Sequence, residues 1–303
     1  VQGVTPVRRV PGASSSWWLA PKVRKQARTY ASGIWTGSPK GVTRLTAALG
    51  AADIVKISLI TPTYGRETFL PGLYHCFAAQ THEDRELLVF DDSPSPSPFF
   101  AALRDARVRY QHTPQRLTIG EKRNLLIEQA QGDLIGFFDD DDYYAPPYVG
   151  TMAENLGDGE LIKLAGWFAL SVPDDALFFW DTSVNHPLHY KVGEGPVGFV
   201  TSAQFKPDFV AKNVDGYGFS YLFRRAVFGA ARFPAKNFAE DVAFLGELRA
   251  QGKRIVHAQD QVGLVVHILH NRNTSVIFPQ YRLPFALGER LFPGLDNFLA
   301  AVK

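Results

Sequence analysis

From about residue 56 onward, short apolar runs alternate with longer stretches of helical periodicity, and this order predicts an α/β sheet with helices packed on it. Lys56-Ile57-Ser58-Leu59-Ile60-Thr61 reads as the first strand; it ends in the turn Pro62-Thr63-Tyr64-Gly65-Arg66, and a helix follows from about Glu67 to Ala79. Next come a strand at Glu86 to Phe90, a Ser/Pro loop at Ser93 to Pro98, a short helix, a strand near Val108 to Gln111 and a helix from Gly120 to Gln131. Gly132 to Phe138 reads as a short buried strand. Residues 157 to 216 are rich in Gly, Pro and aromatics, with only short strand-like pieces such as Leu161 to Leu170, and are expected to lie over the sheet as a variable region. A strand at Phe219 to Phe223, a helix at Asp241 to Gln251, strands near Ile255 and Val265 and a C-terminal helix complete the pattern.

The predicted strand Gly132 to Phe138 runs directly into Asp139-Asp140-Asp141-Asp142. Like charges so crowded repel unless a cation or raised pKa values relieve them, and strand carboxyl ends are where open α/β sheets place ligands. On an extended segment alternate residues share a side, which would put Asp139 and Asp141 together. Hard oxygen ligands of this kind suit magnesium, manganese or calcium. A solvated acidic loop, or a helix opening at Tyr143 to Pro147, is the bland alternative.

With 303 residues and 46% hydrophobic content the chain can bury a substantial core. No apolar stretch is long enough to span a bilayer and no secretory signal opens the sequence, so a cytoplasmic protein is expected, peripheral to a membrane at most. The single cysteine, Cys76, excludes an internal disulfide and reads as core filler. Eight of the 32 basic residues and none of the 30 acidic ones fall in residues 1–50, so that segment carries +8 and the remainder −6. Its Trp17, Trp18, Tyr30 and Trp35 stand among those cations, a mixture suited to an anionic membrane face, phosphate groups or an acidic partner. A transit peptide, or an arm folded onto the acidic body, fits the same composition.

Taken in order, several motifs resemble glycosyltransferase family 2 over roughly residues 56 to 275. They are Ile57 to Tyr64; Gln80-Thr81-His82 followed by Glu86 to Asp91-Asp92-Ser93; Lys122-Arg123-Asn124 followed by Gly132-Asp133 and Phe138 to Asp142; Glu240-Asp241; and His270-Asn271-Arg272-Asn273-Thr274-Ser275. Ser93 directly follows the acid pair, one residue short of the family pattern, and Val242 stands where a tryptophan often follows the "ED" pair. The resemblance implies a GT-A fold: a mixed, mostly parallel central sheet flanked by helices, with a Rossmann-like nucleotide-binding half. It divides the chain into a basic arm (1–55), a glycosyltransferase domain (56–278, with a nucleotide-sugar half at 56–156 and an acceptor half at 157–278) and a helical tail (279–303).

The implied activity is metal-dependent, inverting transfer of one sugar from a nucleotide-diphosphate sugar, with a uridine diphosphate sugar the expected donor. Mn2+ or Mg2+ would stabilise the departing diphosphate, held by Asp139, Asp141 and His270. Thr61, Thr63, Tyr64, Asp91, Asp92, Arg123, Asp139 and Asp140 are expected at the donor, and Asp241 as the general base that takes the acceptor proton. Arg123 could equally be an exposed helix cation, His267 reads as a buried structural histidine, and an acid such as Glu67 suits a helix's first turn. Expected partners are the donor and a sugar, lipid-linked or protein acceptor, with membrane contact through residues 1–50; nucleic acid is not expected. The absent Q-x-x-R-W motif argues for a non-processive enzyme. Two other readings are a catalytically silent nucleotide-binding module docking on membrane or nucleic acid through the basic arm, and a nucleotidyltransferase, whose Gly-rich loop is missing.

Overall fold

Ile57 to Thr63 is buried at nearly every position, so it forms a strand inside the sheet, without the alternation of a half-exposed one. The structure, a computed structural model, describes residues 41–45, 55–270, 273 and 275–302, all within the compact unit Pro39–Lys303. In chain order its elements are β1 (Val42–Arg44), β2 (Ile57–Thr63), α1 (Leu70–Ala79), β3 (Arg85–Asp91), α2 (Pro98–Ala102), β4 (Val108–His112), α3 (Ile119–Gln129), β5 (Leu134–Phe137), β6 (Tyr143–Tyr144), α4 (Tyr148–Leu156), β7 (Leu161–Ser171) and β8 (Ala176–Asp181). They continue with β9 (Leu188–Gly193), β10 (Gly195–Thr201), α5 (Phe209–Asp215), β11 (Leu222–Arg224), α6 (Glu240–Ala250), β12 (Ile255–Gln259), β13 (Val265–Leu269), β14 (Tyr281–Leu283), α7 (Phe285–Leu291) and α8 (Leu295–Val302).

The main sheet runs β1-β12-β7-β11-β5-β2-β3-β4, and β13, β6, β8 and β14 join it off that path. Along the path the strands are parallel except where β11 lies antiparallel between β5 and β7. The expected mixed, mostly parallel sheet with flanking helices is therefore present. β1 falls within the segment expected to be an arm, and it pairs with β12. The rest of the basic segment, with its tryptophans, lies outside the described residues, as do Asn271, Arg272 and Thr274.

Several sequence expectations are corrected. Leu161 to Ser171 is one strand of 11 residues, buried throughout, which pairs with β8, β11, β12 and β13. It belongs to the sheet rather than to a layer above it. The helix expected from Glu67 starts at Leu70, because Pro71 fits only the first turn, where its missing N–H is no loss. Tyr143 and Tyr144 form β6 against β13, so no helix opens there; α4 waits until Tyr148. The helix expected at Asp241 begins one residue earlier, after Ala239 in left-handed backbone (φ +56°).

The core between the sheet and α3/α6 is aromatic. Phe137 stacks on Tyr221 at 5.5 Å and Phe233 on Phe244 at 4.1 Å, an arrangement that adds to their area burial. Two helix starts are fixed by chemistry legible in the sequence. Thr118 and Glu121 form a reciprocal capping box at α3, and Ser97 caps α2. Cys76 is buried and free, its thiol pushed up to about 12 by burial, as befits core filler.

Candidate active site

The carboxyl ends of β2 and β3 open into a pocket of about 300 Å³, lined among others by Thr63, Arg66, Leu70, Asp91, Ser93 and Pro96. Gly65 makes the turn after β2 possible with a φ of +63°, and its N–H donates to the Ser93 hydroxyl at 2.8 Å. The chain's acids are already at work here. Asp91 Oδ1 accepts from the Ser93 N–H (2.9 Å) and hydroxyl (2.5 Å), while Oδ2 accepts from the Tyr110 hydroxyl at 2.7 Å. Asp92 is buried, pairs with Lys122 (2.8 Å) and Arg116 (2.7 Å), and accepts the Leu117 N–H at 2.9 Å. It thereby anchors the loop leading into α3. Of the other donor-side candidates, Thr61 gives its hydroxyl to the Phe138 carbonyl (2.5 Å), Thr63 gives its own to Asp140 Oδ2 (2.5 Å), and Tyr64 is exposed beneath the Arg116 guanidinium, 3.4 Å from its ring centre.

β5 ends at Phe137, and Asp140 and Asp141 sit in a turn, so the alternation expected of an extended segment does not apply to the four acids. Each faces a different partner. The Asp139 N–H donates to the Tyr144 hydroxyl at 2.9 Å. Asp141 Oδ2 lies 3.0 Å from His270 Nε2 and 3.3 Å from an Arg66 amine, and Arg66 also reaches His270 Nε2 at 3.3 Å. Asp142 has no exposed surface; both its oxygens face His267 Nδ1 (2.9 and 3.0 Å), and it accepts the Ile268 N–H at 2.8 Å. His267 stacks on Phe219, with ring centres 5.1 Å apart.

The electrostatics follow from this division. Burial pushes Asp139 up to about 7, with Arg123 opposing and Asp142 and Asp141 adding to the rise. Burial and the neighbouring charge of Asp141 hold Asp140 well above the usual carboxylate range. Asp141 is also buried, but the His270 contact and the Arg66 charge outweigh this and hold it below the usual value. One carboxylate of the turn thus carries firm negative charge.

Arg123 is neither exposed nor in the pocket lining. It is buried, pairs with Glu240 and lies 4.2 Å over the Phe137 ring, tying α3 to the start of α6. Asp241, the next residue, accepts the Gly218 N–H at 2.7 Å through Oδ2 and its neighbour Val242's N–H at 2.8 Å through Oδ1. A Cβ at Gly218 would stand 2.8 Å from the Asp241 Cβ and Oδ2, so only glycine allows this approach. The turn carrying Gly218 also carries Phe219, whose carbonyl accepts the Tyr144 hydroxyl at 3.0 Å and whose ring covers His267. It joins the surroundings of Asp241 to those of the acid turn.

The expected metal ligands come together in part. Asp141 and His270 meet, whereas among the described residues no group of three His, Cys, Asp or Glu side chains converges closely enough to hold an ion. A carboxylate oxygen and an imidazole nitrogen fit a divalent ion that takes its remaining ligands from water and substrate phosphates, the usual habit of magnesium in phosphate chemistry.

Sequence reading assigned no role to Lys122 or Lys163, both buried lysines. For Lys122 the signal was its place before Arg123 in a quoted motif; for Lys163, inside an apolar run, there was the oddity of a lysine among Leu161, Ile162 and Leu164. Burial pushes Lys163 down to about 7, with Asp215 and Asp241 opposing. Below that pH both folded and unfolded chains carry the proton and the burial penalty is complete. Between about pH 7 and the unfolded lysine's value near 10.4 the unfolded state binds the extra proton, so stability should rise with pH. Urea unfolding at pH 7 and pH 9 checks this: the wild-type midpoint should gain relative to Lys163→Met, and equal pH responses would contradict the shift.

Residues 58–205 match the family model described as Glycosyl transferase family 2. EpsH of Bacillus subtilis, named as a glycosyltransferase, is 27% identical over 194 residues, 61% of this chain and 52% of that protein. A poly(ribitol-phosphate) beta-glucosyltransferase of Bacillus spizizenii is 25% identical over 225 residues, 61% of this chain and 35% of its own length. The chain therefore spans about half of the first of these relatives and about a third of the second. Among solved structures, S. aureus TarS 1-349 in complex with UDP-GlcNAc superposes with a TM-score of 0.53 at 18% identity, covering 72% of this chain and 60% of that one. The mannosyltransferase PcManGT from Pyrobaculum calidifontis, in complex with GDP-Man and Mn2+, gives 0.51 at 14% identity, covering 83% and 65%. The architecture held in common is the GT-A fold.

Proposed function

The chain belongs to glycosyltransferase family 2, and from that premise we propose that it moves one sugar from a nucleotide-diphosphate sugar to an acceptor hydroxyl with inversion, using Asp241 as general base. The observation that carries this reading is the meeting of Asp141, His270 and Arg66 beside the pocket that Thr63, Arg66 and Asp91 line. A nucleoside would occupy that pocket. Arg66, which borders it and also touches Asp141, supplies a fixed positive charge for a diphosphate. A divalent ion held by Asp141 and His270, with Asp139 nearby in sequence, would act as a Lewis acid on the leaving diphosphate. Thr63 and Asp140, bonded to each other, fix the floor between the pocket and the acid turn.

At the acceptor end, a hydroxyl is a weak nucleophile unless its proton is taken during attack. Asp241 is oriented for this by two backbone N–H groups, and Glu240 beside it is committed to Arg123. Displacement in one step from the face opposite the leaving group inverts the anomeric carbon. The absence of the Q-x-x-R-W motif supports addition of a single sugar. Relatives named for a poly(ribitol-phosphate) and for an undecaprenol diphosphate-linked acceptor make phosphate-bearing polymers and lipid-linked glycans the first acceptors to try. Among the described residues no helix is long and apolar enough to cross a membrane; the basic residues 1–50 are the proposed contact with a lipid-linked acceptor.

The donor is tested by thermal unfolding with a panel that includes UDP-GlcNAc, UDP-glucose and GDP-mannose, each with and without Mn2+. Ligand at a hundredfold excess over Kd adds about 2.7 kcal/mol of stability, a rise of about 4 °C for a chain of this size. A uridine diphosphate sugar is expected to give that rise only with metal present. If no nucleotide sugar shifts the transition, the donor site assigned here is wrong.

A further inference from the structure

Lys163, the third residue of β7, has no exposed surface. Its ammonium donates to the carbonyls of Val214 and Gly216, the latter at 2.8 Å. These lie at the carboxyl end of α5, where helix carbonyls lack partners within the helix and a cation is favoured. The backbone that follows is tightly specified. Tyr217 adopts left-handed geometry (φ +63°), rare for a bulky residue, and its hydroxyl donates to the Val276 carbonyl at 2.7 Å. Gly218 then presents its N–H to Asp241 Oδ2.

A buried ammonium is costly, and an apolar side chain like its neighbours Ile162 and Leu164 would fill a strand without that cost. The charged groups facing Lys163 are Asp215 at the end of α5, Asp241 at the start of α6 and Arg249 further along α6. His257 lies opposite it in register on β12 and contacts Asp215, and the Tyr221 ring centre is 6.0 Å from its nitrogen. One side-chain nitrogen thus gathers two carbonyls of a single turn, the turn whose Gly218 amide holds the Asp241 carboxylate.

We propose that Lys163 is a positioning residue: by clamping the 214–218 turn it keeps the Gly218 amide against Asp241 and so fixes the carboxylate in the orientation that acceptor deprotonation requires. The functional half of this statement rests on the reading of Asp241 as the base; the mechanical half does not.

Amide hydrogen exchange on wild type, Lys163→Met and Gly218→Ala tests the mechanical half directly. Lys163→Met should speed exchange at residues 214–218 by about tenfold or more while amides of β2 stay within about twofold of wild type. Gly218→Ala, which disturbs the same contact from its other end, should loosen the same segment and spare β2. Unchanged protection at Gly218, or equal acceleration in β2, would overturn the proposal, since the first means no clamp and the second only a general loss of stability. For the functional half, release of UDP from UDP-GlcNAc with Mn2+ is compared among Lys163→Met, Asp241→Asn and the double variant. A residue acting through Asp241 should lower kcat by about tenfold or more with donor KM unchanged, and should add nothing once Asp241 is asparagine. Multiplicative losses in the double variant would sink the coupling. Wild-type turnover by Asp241→Asn would sink the base assignment instead, leaving the exchange result to decide the clamp.

Discussion

Asp241→Asn lowers the rate of sugar transfer by about 10²- to 10⁴-fold and leaves donor binding intact, if the carboxylate takes the acceptor proton. The substitution is nearly isosteric. Its remaining carbonyl oxygen can still accept the Gly218 N–H, so the turn and the start of α6 should hold their places. What is lost is basicity. The donor pocket is lined by the β2 turn and the segment after β3, and Asp241 is not among its lining residues, so metal-dependent stabilisation by the donor should match wild type. The measurement is kcat and donor KM for the nucleotide sugar that the thermal panel selects. A variant keeping more than about a tenth of wild-type kcat would remove Asp241 from the chemistry. A wild type that binds nucleotide yet turns nothing over would instead favour the silent-module reading.

Two adjacent aspartates should show opposite defects. Asp142→Ala removes a carboxylate with no exposed surface that holds both His267 and the Ile268 N–H, leaving a buried histidine and a strand amide without their partner. Breaking a buried pair from one side costs about 3–5 kcal/mol, or roughly 5–8 °C in Tm at this chain length. Asp141→Ala should cost less, because Arg66 also reaches His270 and keeps that ring partnered, and the crowded Asp139 and Asp140 lose a repelling neighbour. Its loss should appear instead as failure of Mn2+ and nucleotide sugar to raise the Tm. Urea unfolding of both variants, with the thermal panel repeated, separates them. Equal destabilisation, or donor-dependent stabilisation surviving in Asp141→Ala, would contradict the division of labour within the acid turn.

The nucleotide-binding half was legible because its strands are short apolar runs bounded by turn residues. The acids after β5 were found for the same reason, since charge following a buried strand stands out. β7 was not recognised as a sheet strand: a strand covered on both faces has no alternation to reveal it, and the Gly and Pro residues around it gave an irregular appearance. Long-range pairing was equally hidden. Asp92 looked available for a ligand until Lys122, 30 residues on, closed on it. Arg123 was read as either exposed or ligand-facing, and Glu240, 117 residues away, made it neither. In the acid turn, the step of two that governs extended chains failed because the strand ends at Phe137, before the first carboxylate.

Cys76, the chain's sole sulfhydryl, lies 1% exposed in α1 with its proton held tightly by burial. Maleimide dyes will therefore pass over the native protein. A new cysteine at Phe238, 75% exposed and three positions before Asp241, would take a single fluorophore without any background to engineer away. Acceptor arrival could then be followed by light, before its chemical identity is known.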